Sequence, residues 1–219
     1  ATDGSFYGTT SAGGANCAPN GCGTIFKVTG LGVLTTLHSF NGSDGSSPSA
    51  SLLQGTDGSF YGTTSSGGTG SCTSGCGTIF KLSVGLGPFV TSQTYSSKVG
   101  ATVVLLGTNL TGSTSVSFNS TPATAFTVVS ASEITTTVPA GATTGRIFVA
   151  TPGGTLKSNT NFWVAPQVLS FTPTSGPVGT SVQITGVSLT QTKVVTFGGV
   201  KATAFTVNSD TQVTATVPT

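Results

Sequence analysis

Apolar residues in this chain fall in short clusters separated by Gly, Ser, Thr and Asn. Alternation such as Val103, Leu105 and Val182, Ile184, with turn residues about every 8 to 12 positions, predicts short strands packed as a β-sandwich. Nearer the N-terminus the pieces are shorter. Strands are expected at 33–40, 50–53, 59–63 and 77–82, the third following an Asp57-Gly58 step. Asp-Gly between apolar pieces is a strong hairpin signal, because glycine supplies a positive φ at little cost. Four strands in about 50 residues is the size of a propeller blade.

Repetition then organises these pieces. The run TDGSFYGTTS at 2–11 recurs at 56–65, Gly13-Gly14 as Gly67-Gly68, and GCGTIFK at 21–27 as 75–81, all 54 residues apart. From about residue 88 the period becomes 79: Val99-Gly100 returns as Val178-Gly179, Phe118 as Phe197, ATAFTV at 123–128 as 202–207, and Val138-Pro139 as Val217-Pro218. With no insertion between them, these are two copies of one domain. The expected fold is all-β: two four-stranded, blade-like repeats over 1–87, then immunoglobulin-like sandwiches over 88–165 and 166–219. Thr219 matches Ala140 in this register, so the second sandwich is expected to lack about its last two strands. Ala1 matches Gly55, so the first repeat is expected to lack its opening strand. Two blades do not close a propeller, which needs four to eight. Either further chain or neighbouring copies would complete these modules.

Composition sets limits on partners. Charged residues are 5% of the chain, against about 25% in ordinary domains, but 36% hydrophobic content is enough for a core. Seven basic residues are scattered singly, so no stripe exists to neutralise successive phosphates, and nucleic acid is not an expected partner. No apolar run approaches the roughly 20 residues of a membrane helix. No insertion of this segment into a membrane is expected, and targeting signals would lie elsewhere or have been removed. The four cysteines form two close pairs, Cys17 with Cys22 and Cys72 with Cys76, each in a Gly/Ser/Asn-rich loop. Even number and matched placement favour local disulfides in an oxidising compartment. Two zinc-ligand pairs or free thiols are the alternatives.

The 54-residue unit, with DGSFYGTT, GCGTIFK and LTTLHSFNGSDGSSP, resembles the GloVer tandem repeat of bacterial secreted proteins with interchangeable surface anchors. The 79-residue unit, with FTPTSGPVGTSVQITG, VTFGGVKATAFTV and TQVTATVP, resembles the IPT/TIG domain, an immunoglobulin-like fold of the early-set type. The first copy departs from that opening, with Tyr95-Ser96-Ser97-Lys98 where the second has Thr174-Ser175-Gly176-Pro177. The first resemblance implies export and surface attachment and carries no catalytic residues. The second implies a spacer or interaction module.

Candidate chemistry is sparse. His38 is the single histidine, and no G-x-S-x-G elbow accompanies it. Asp3 and Asp57 could pair as glycosidase carboxylates, yet they occupy one position in successive repeats, where turn chemistry explains both. Asn41-Gly42-Ser43-Asp44-Gly45 is oxygen-rich but lacks the spacing and terminal Glu of a calcium loop. Asn41, Asn109 and Asn119 open glycosylation sequons that chance accounts for in so Ser/Thr-rich a chain. Tyr7 and Tyr61 repeat beside Phe6 and Phe60 and are the candidate ligand-facing aromatics, with core or inter-repeat packing as the alternative. Trp163 is expected at the junction between sandwiches. No catalytic residue, metal or cofactor is expected. The expected role is a non-catalytic extracellular or cell-surface protein, filament-forming through copies of itself, with an adhesin that binds surface glycans, or an appendage of a secreted enzyme, as alternatives.

Overall fold

Phe26 and Phe80 lie flat across neighbouring strands, and this is possible only because those strands carry Gly8 and Gly62. A Cβ at Gly62 would sit 2.5 Å from the Phe80 ring, and one at Gly8 would sit 2.6 Å from the Phe26 ring. The computed structural model describes residues 1–219 and is β-structure throughout, apart from one 3-10 turn at Leu189–Gln191. No helix is long and apolar enough to cross a membrane. The chain divides into two units, Ala1–Pro88 and Phe89–Thr219.

In the first unit, β1 (Phe6–Thr10), β2 (Thr24–Val28) and β3 (Leu34–Ser39) form an antiparallel meander. The second repeat places β4 (Ser46–Pro48) and β5 (Leu53–Gln54) along one edge of β6 (Phe60–Ser66), with β7 (Thr78–Leu82) on the other. The strand expected at 50–53 is thus corrected to two pieces. Proline has no N–H for the ladder, Pro48 closes the first piece, and pairing resumes at Leu53. The first repeat has no opening strand, and in the second no strand flanks β7 as β3 flanks β2.

Both repeats share one register, Phe6↔Val28 and Tyr7↔Lys27 in the first, Phe60↔Leu82 and Tyr61↔Lys81 in the second. Strand alternation therefore puts Phe6, Phe26 and Val28 on a front face and Tyr7, Ile25 and Lys27 on a back face. The back of the first repeat packs on the front of the second. Tyr7 stacks on Phe60 with centroids 4.2 Å apart, and Phe40 meets Phe80 edge-on at 5.2 Å. Leu52, Phe80 and Leu82 cover the buried Cys22, Ile25 and Phe40. Polar contacts ring this core: Gln54 accepts from the Thr2 N–H at 3.1 Å and donates to the Thr2 hydroxyl at 2.9 Å. The 41–45 loop accepts from Gly68 N–H at 2.8 Å and from the Thr78 hydroxyl at 3.0 Å.

The second unit opens with β8 (Thr91–Ser92), β9 (Ser96–Lys98), β10 (Thr102–Leu106), β11 (Ser115–Phe118), β12 (Thr121–Pro122), β13 (Phe126–Ser130), β14 (Glu133–Thr137), β15 (Ile147–Thr151), β16 (Gly154–Lys157) and β17 (Trp163–Ala165). Sheets β13-β14-β10-β8 and β12-β11-β15-β16 face each other over a core that includes Leu105, Phe118, Ile134 and Ile147, and β9 pairs with β17 in parallel. Then follow β18 (Gln167–Thr172), β19 (Ser181–Val187), β20 (Thr196–Phe197), β21 (Val200–Lys201), β22 (Phe205–Ser209) and β23 (Gln212–Thr216). They form a β18-β19-β23-β22 sheet and a β20-β21 hairpin. The copies repeat even a bulge, at Val128/Ser130 and Val207/Ser209.

In the first sandwich β15 pairs with β11, and Phe162 packs edge-on against Phe118 at 5.2 Å. Residues 166–219 have no strand in the place of β15. An apolar groove of about 630 Å³ is open there, lined by Val182, Ile184, Leu189, Phe197 and Val213 among others. The two sandwiches meet through polar bonds, Thr144 N–H to the Gln191 side-chain Oε1 at 2.7 Å and Ser188 hydroxyl to the Ala142 backbone carbonyl at 2.9 Å. Trp163, expected at that junction, is instead 62% exposed. Alternation on β17 turns its neighbour Val164 into the core and Trp163 outward.

Leu105 and its counterpart Ile184 test this difference in closure. Leu105→Ala is expected to cost about 2–5 kcal/mol, as for a fully enclosed site. Ile184→Ala should cost less, because its side chain already borders the open groove. Urea denaturation followed by circular dichroism and Trp163 fluorescence measures both.

Candidate functional site

The most ordered polar arrangement in the chain occurs twice. Asp57 begins a turn in which its Oδ1 accepts the Ser59 N–H at 3.0 Å, an Asx turn that fixes the carboxylate at the mouth of β6. Its Oδ2 accepts from the Tyr61 hydroxyl at 2.9 Å and from Lys81 Nζ at 2.8 Å. Tyr61 and Lys81 are register partners across β6 and β7, so their side chains leave the sheet together. The ammonium lies 5.6 Å from the Tyr61 ring centroid, within reach of a cation–π attraction. The first repeat reproduces the cluster: Asp3 accepts from Ser5 N–H at 3.1 Å, Tyr7 hydroxyl at 3.0 Å and Lys27 at 2.8 Å.

Electrostatics follow from these contacts. On Asp3 burial is the largest single influence and acts to raise the pKa. Hydrogen bonds from Lys27, Ser5 N–H and Tyr7 together outweigh it and hold the carboxyl well below the usual carboxylate range. For Asp57 the Lys81 ammonium dominates, followed by the Ser59 N–H, and the direction is the same. Lys27 and Lys81 are raised by their hydrogen bonds to Asp3 and Asp57. Burial, then the neighbouring Asp3, raises the Tyr7 hydroxyl against the opposing pull of Lys27.

The two candidate tyrosines therefore have tied hydroxyls and half-buried rings. Tyr7 is covered by Phe60, whereas the ring of Tyr61 carries no such aromatic partner. Asp3 and Asp57 do not come together as a carboxylate pair; each holds the lysine and tyrosine of its own repeat. His38 Nε2 lies 2.8 Å from Asp44 Oδ2, and Asp44 Oδ1 accepts the Asn41 N–H at 2.9 Å. Asn41 Oδ1 accepts from Ser43 N–H and hydroxyl and from Asp44 N–H. The oxygens that suggested a calcium loop are thus spent closing the loop on itself. Cys17–Cys22 and Cys72–Cys76 are disulfides with Cα separations of 5.4 and 5.3 Å, so no thiolate is left for a metal. Sequence reasoning missed the lysines. Their signal was present, since Lys27 and Lys81 each follow the turn aspartate by the same interval.

A carboxylate depressed in the folded state stabilises it above the unfolded pKa of about 3.9. That stability drains away as pH falls from there toward the folded value. Asp57→Asn keeps the Asx acceptor but binds no proton. The fall in the urea midpoint of the first unit between about pH 4 and pH 2 should become roughly half as steep, since one of two equal clusters remains. An unchanged slope would show that the clusters do not carry it.

Comparison with known proteins places the chain in a family. No curated protein matches the chain. Among solved structures, one determined with a xylogluco-oligosaccharide aligns at 21% identity over 58% of this chain and 34% of its own length, TM-score 0.36. A surface glycan-binding protein from Prevotella bryantii aligns at 20% identity over 63% of this chain and 34% of that one, TM-score 0.36. A surface glycan-binding protein from the mixed-linkage glucan utilization locus of Bacteroides ovatus, solved with a mixed-linkage heptasaccharide, aligns at 21% identity over 75% and 45%, TM-score 0.32. The chain thus spans less than half the length of each, and scores this low do not establish a common overall fold. Family models are more telling: the Gloeobacter/Verrucomicrobia repeat matches residues 1–161, running through the first sandwich, and the IPT/TIG domain matches 166–219. The chain belongs to the Gloeobacter/Verrucomicrobia repeat family and carries an IPT/TIG domain at its C-terminal end.

Proposed function

We propose that this chain is part of a non-catalytic extracellular structural protein, at the cell surface or in a filament, whose β modules join it to copies of itself. The observation that carries this is the packing of one repeat directly on the next, with Tyr7 stacked on Phe60 and Ile25 buried beneath Leu52, Phe80 and Leu82, because modules that bury a core only against a neighbour build up in series. Low charge makes such contacts insensitive to salt, and the two disulfides suit an oxidising exterior. The best-placed acids, Asp3, Asp44 and Asp57, serve turns and loop closure.

Negative-stain electron microscopy and sedimentation velocity of the purified chain test this. Strings or oligomers that grow with concentration are expected, and a single monomeric species at every concentration would contradict it.

A second reading, a glycan-binding module, is favoured by Tyr61. Its ring is half-exposed and its hydroxyl is pinned by Asp57, so a stacking surface for a sugar is held in one orientation at little entropic cost. On a glycan array, Tyr61→Ala should abolish any signal the parent chain gives. Retained binding would remove Tyr61 from the site.

A further inference from the structure

We propose that the turn at Ser188 to Gln191 is a latch that fixes the angle between the two sandwiches, so that the pair acts as one stiff spacer. A stiff spacer serves assembly and glycan presentation alike, so the latch depends on neither reading above.

Both sandwiches lie within the unit Phe89–Thr219, and Pro166 alone separates β17 from β18. The proline ring fixes φ there and restricts the residue before it, but one soft dihedral, ψ, remains at that step. Two hydrogen bonds between the sandwiches close off the rotation: Thr144 N–H to Gln191 Oε1 at 2.7 Å, and the Ser188 hydroxyl to the Ala142 carbonyl at 2.9 Å. Gln191 Nε2 lies 3.4 Å from the Ser188 hydroxyl and joins the two.

Each half is held by its own sandwich. In the first, the Gly141 carbonyl accepts from the Thr121 hydroxyl at 3.1 Å, the Thr143 hydroxyl from the Asn119 side-chain amide at 3.0 Å, and the Thr144 hydroxyl from Val164 N–H at 3.1 Å. In the second, Asp210 holds the turn. Its carboxylate accepts from the Thr190 hydroxyl at 2.9 Å and from Ser188 N–H at 3.3 Å, and its carbonyl from Leu189 N–H at 2.8 Å. Leu189 anchors the same turn in the core. Partners fixed beforehand lose little freedom on meeting, which lets two bonds suffice.

The first sandwich shows the same turn built from other side chains. In the 79-residue register Asn109 stands at the place of Ser188, Leu110 of Leu189, Gly112 of Gln191 and Ala131 of Asp210. The backbone is alike: Asn109 has φ 57° and Ser188 φ 60°. Leu110 N–H donates to the Ala131 carbonyl at 2.8 Å, as Leu189 N–H does to that of Asp210. The turn itself therefore does not require Ser188 or Gln191. Asparagine tolerates the left-handed region better than serine, so Ser188 carries a local strain that its counterpart is spared. What serine supplies is a hydroxyl for the Ala142 carbonyl, at a place where both residues are 0% exposed and an unpaired carbonyl would be costly. A strained backbone angle at such a contact points to a role.

Nuclear magnetic resonance on weakly aligned samples of the whole chain tests this, because amide dipolar couplings report the orientation of each sandwich. In the parent chain, couplings from 89–165 and 166–219 should fit one alignment tensor. Gln191→Ala and Ser188→Gly should each lose that common tensor. Amide exchange at Ile184 and Val213, which reports local opening of the second sandwich, should stay as in the parent, since Leu189 and Asp210 still hold the turn. Glycine also relieves the positive φ, so that variant keeps its fold. Gln191→Glu retains an acceptor for Thr144 N–H and should keep the common tensor. Two tensors in the parent, or one common tensor in both Gln191→Ala and Ser188→Gly, would overturn the latch. Faster exchange at Ile184 and Val213 with the tensor still shared would make these residues supports of their own sandwich and overturn it equally.

Discussion

The contact between the back of one repeat and the front of the next is the interaction on which the first unit depends. A sheet of three short strands has two faces and no core of its own. Ile25, Phe40 and Phe60 become buried only where the two repeats meet. The glycines at 8 and 62 serve that contact from within, since each lets a phenylalanine lie flat on its own sheet and present a smooth front. Rings then meet rings across the gap, Tyr7 with Phe60 and Phe40 with Phe80.

The polar clusters act on the same contact. A tyrosine that must stack in one orientation is held at its hydroxyl by an aspartate already fixed in a turn, and the lysine beside it cancels the carboxylate's charge. Sequence, turn and packing are linked through Asp3: the residue that starts the strand also aims the side chain that closes the interface. In the second unit closure comes from strands instead. Ile147, Val149 and Phe162 cap the first sandwich, whereas the same side of the second is a groove.

Much of this was legible in the chain. Periods of 54 and 79 residues located the modules, and alternation at Val103 and Leu105, then Val182 and Ile184, found inward positions that the structure buries. The edge strand of the second repeat was harder, because Pro48 splits it and short edge pairings leave little periodicity. Trp163 was misplaced because its position on the last strand before the Ala165-Pro166 link suggested the junction, while strand parity, which decides it, depends on a register that sequence does not supply. The site was less legible than the fold. Tyr7 and Tyr61 could be picked out as a pair, but their lysine partners required knowing which strands adjoin. The burial of Phe60 has no signal in its own repeat, since the ring that covers it, Tyr7, belongs to the other one.

A double-mutant cycle across the repeat contact tests this account most directly, with Tyr7→Leu, Phe60→Leu and the double variant compared by urea denaturation. If the stacked pair ties the repeats into one body, the two substitutions should couple by about 0.5–1.5 kcal/mol. Additivity to within about 0.3 kcal/mol would contradict it, because residues without a shared contact behave that way.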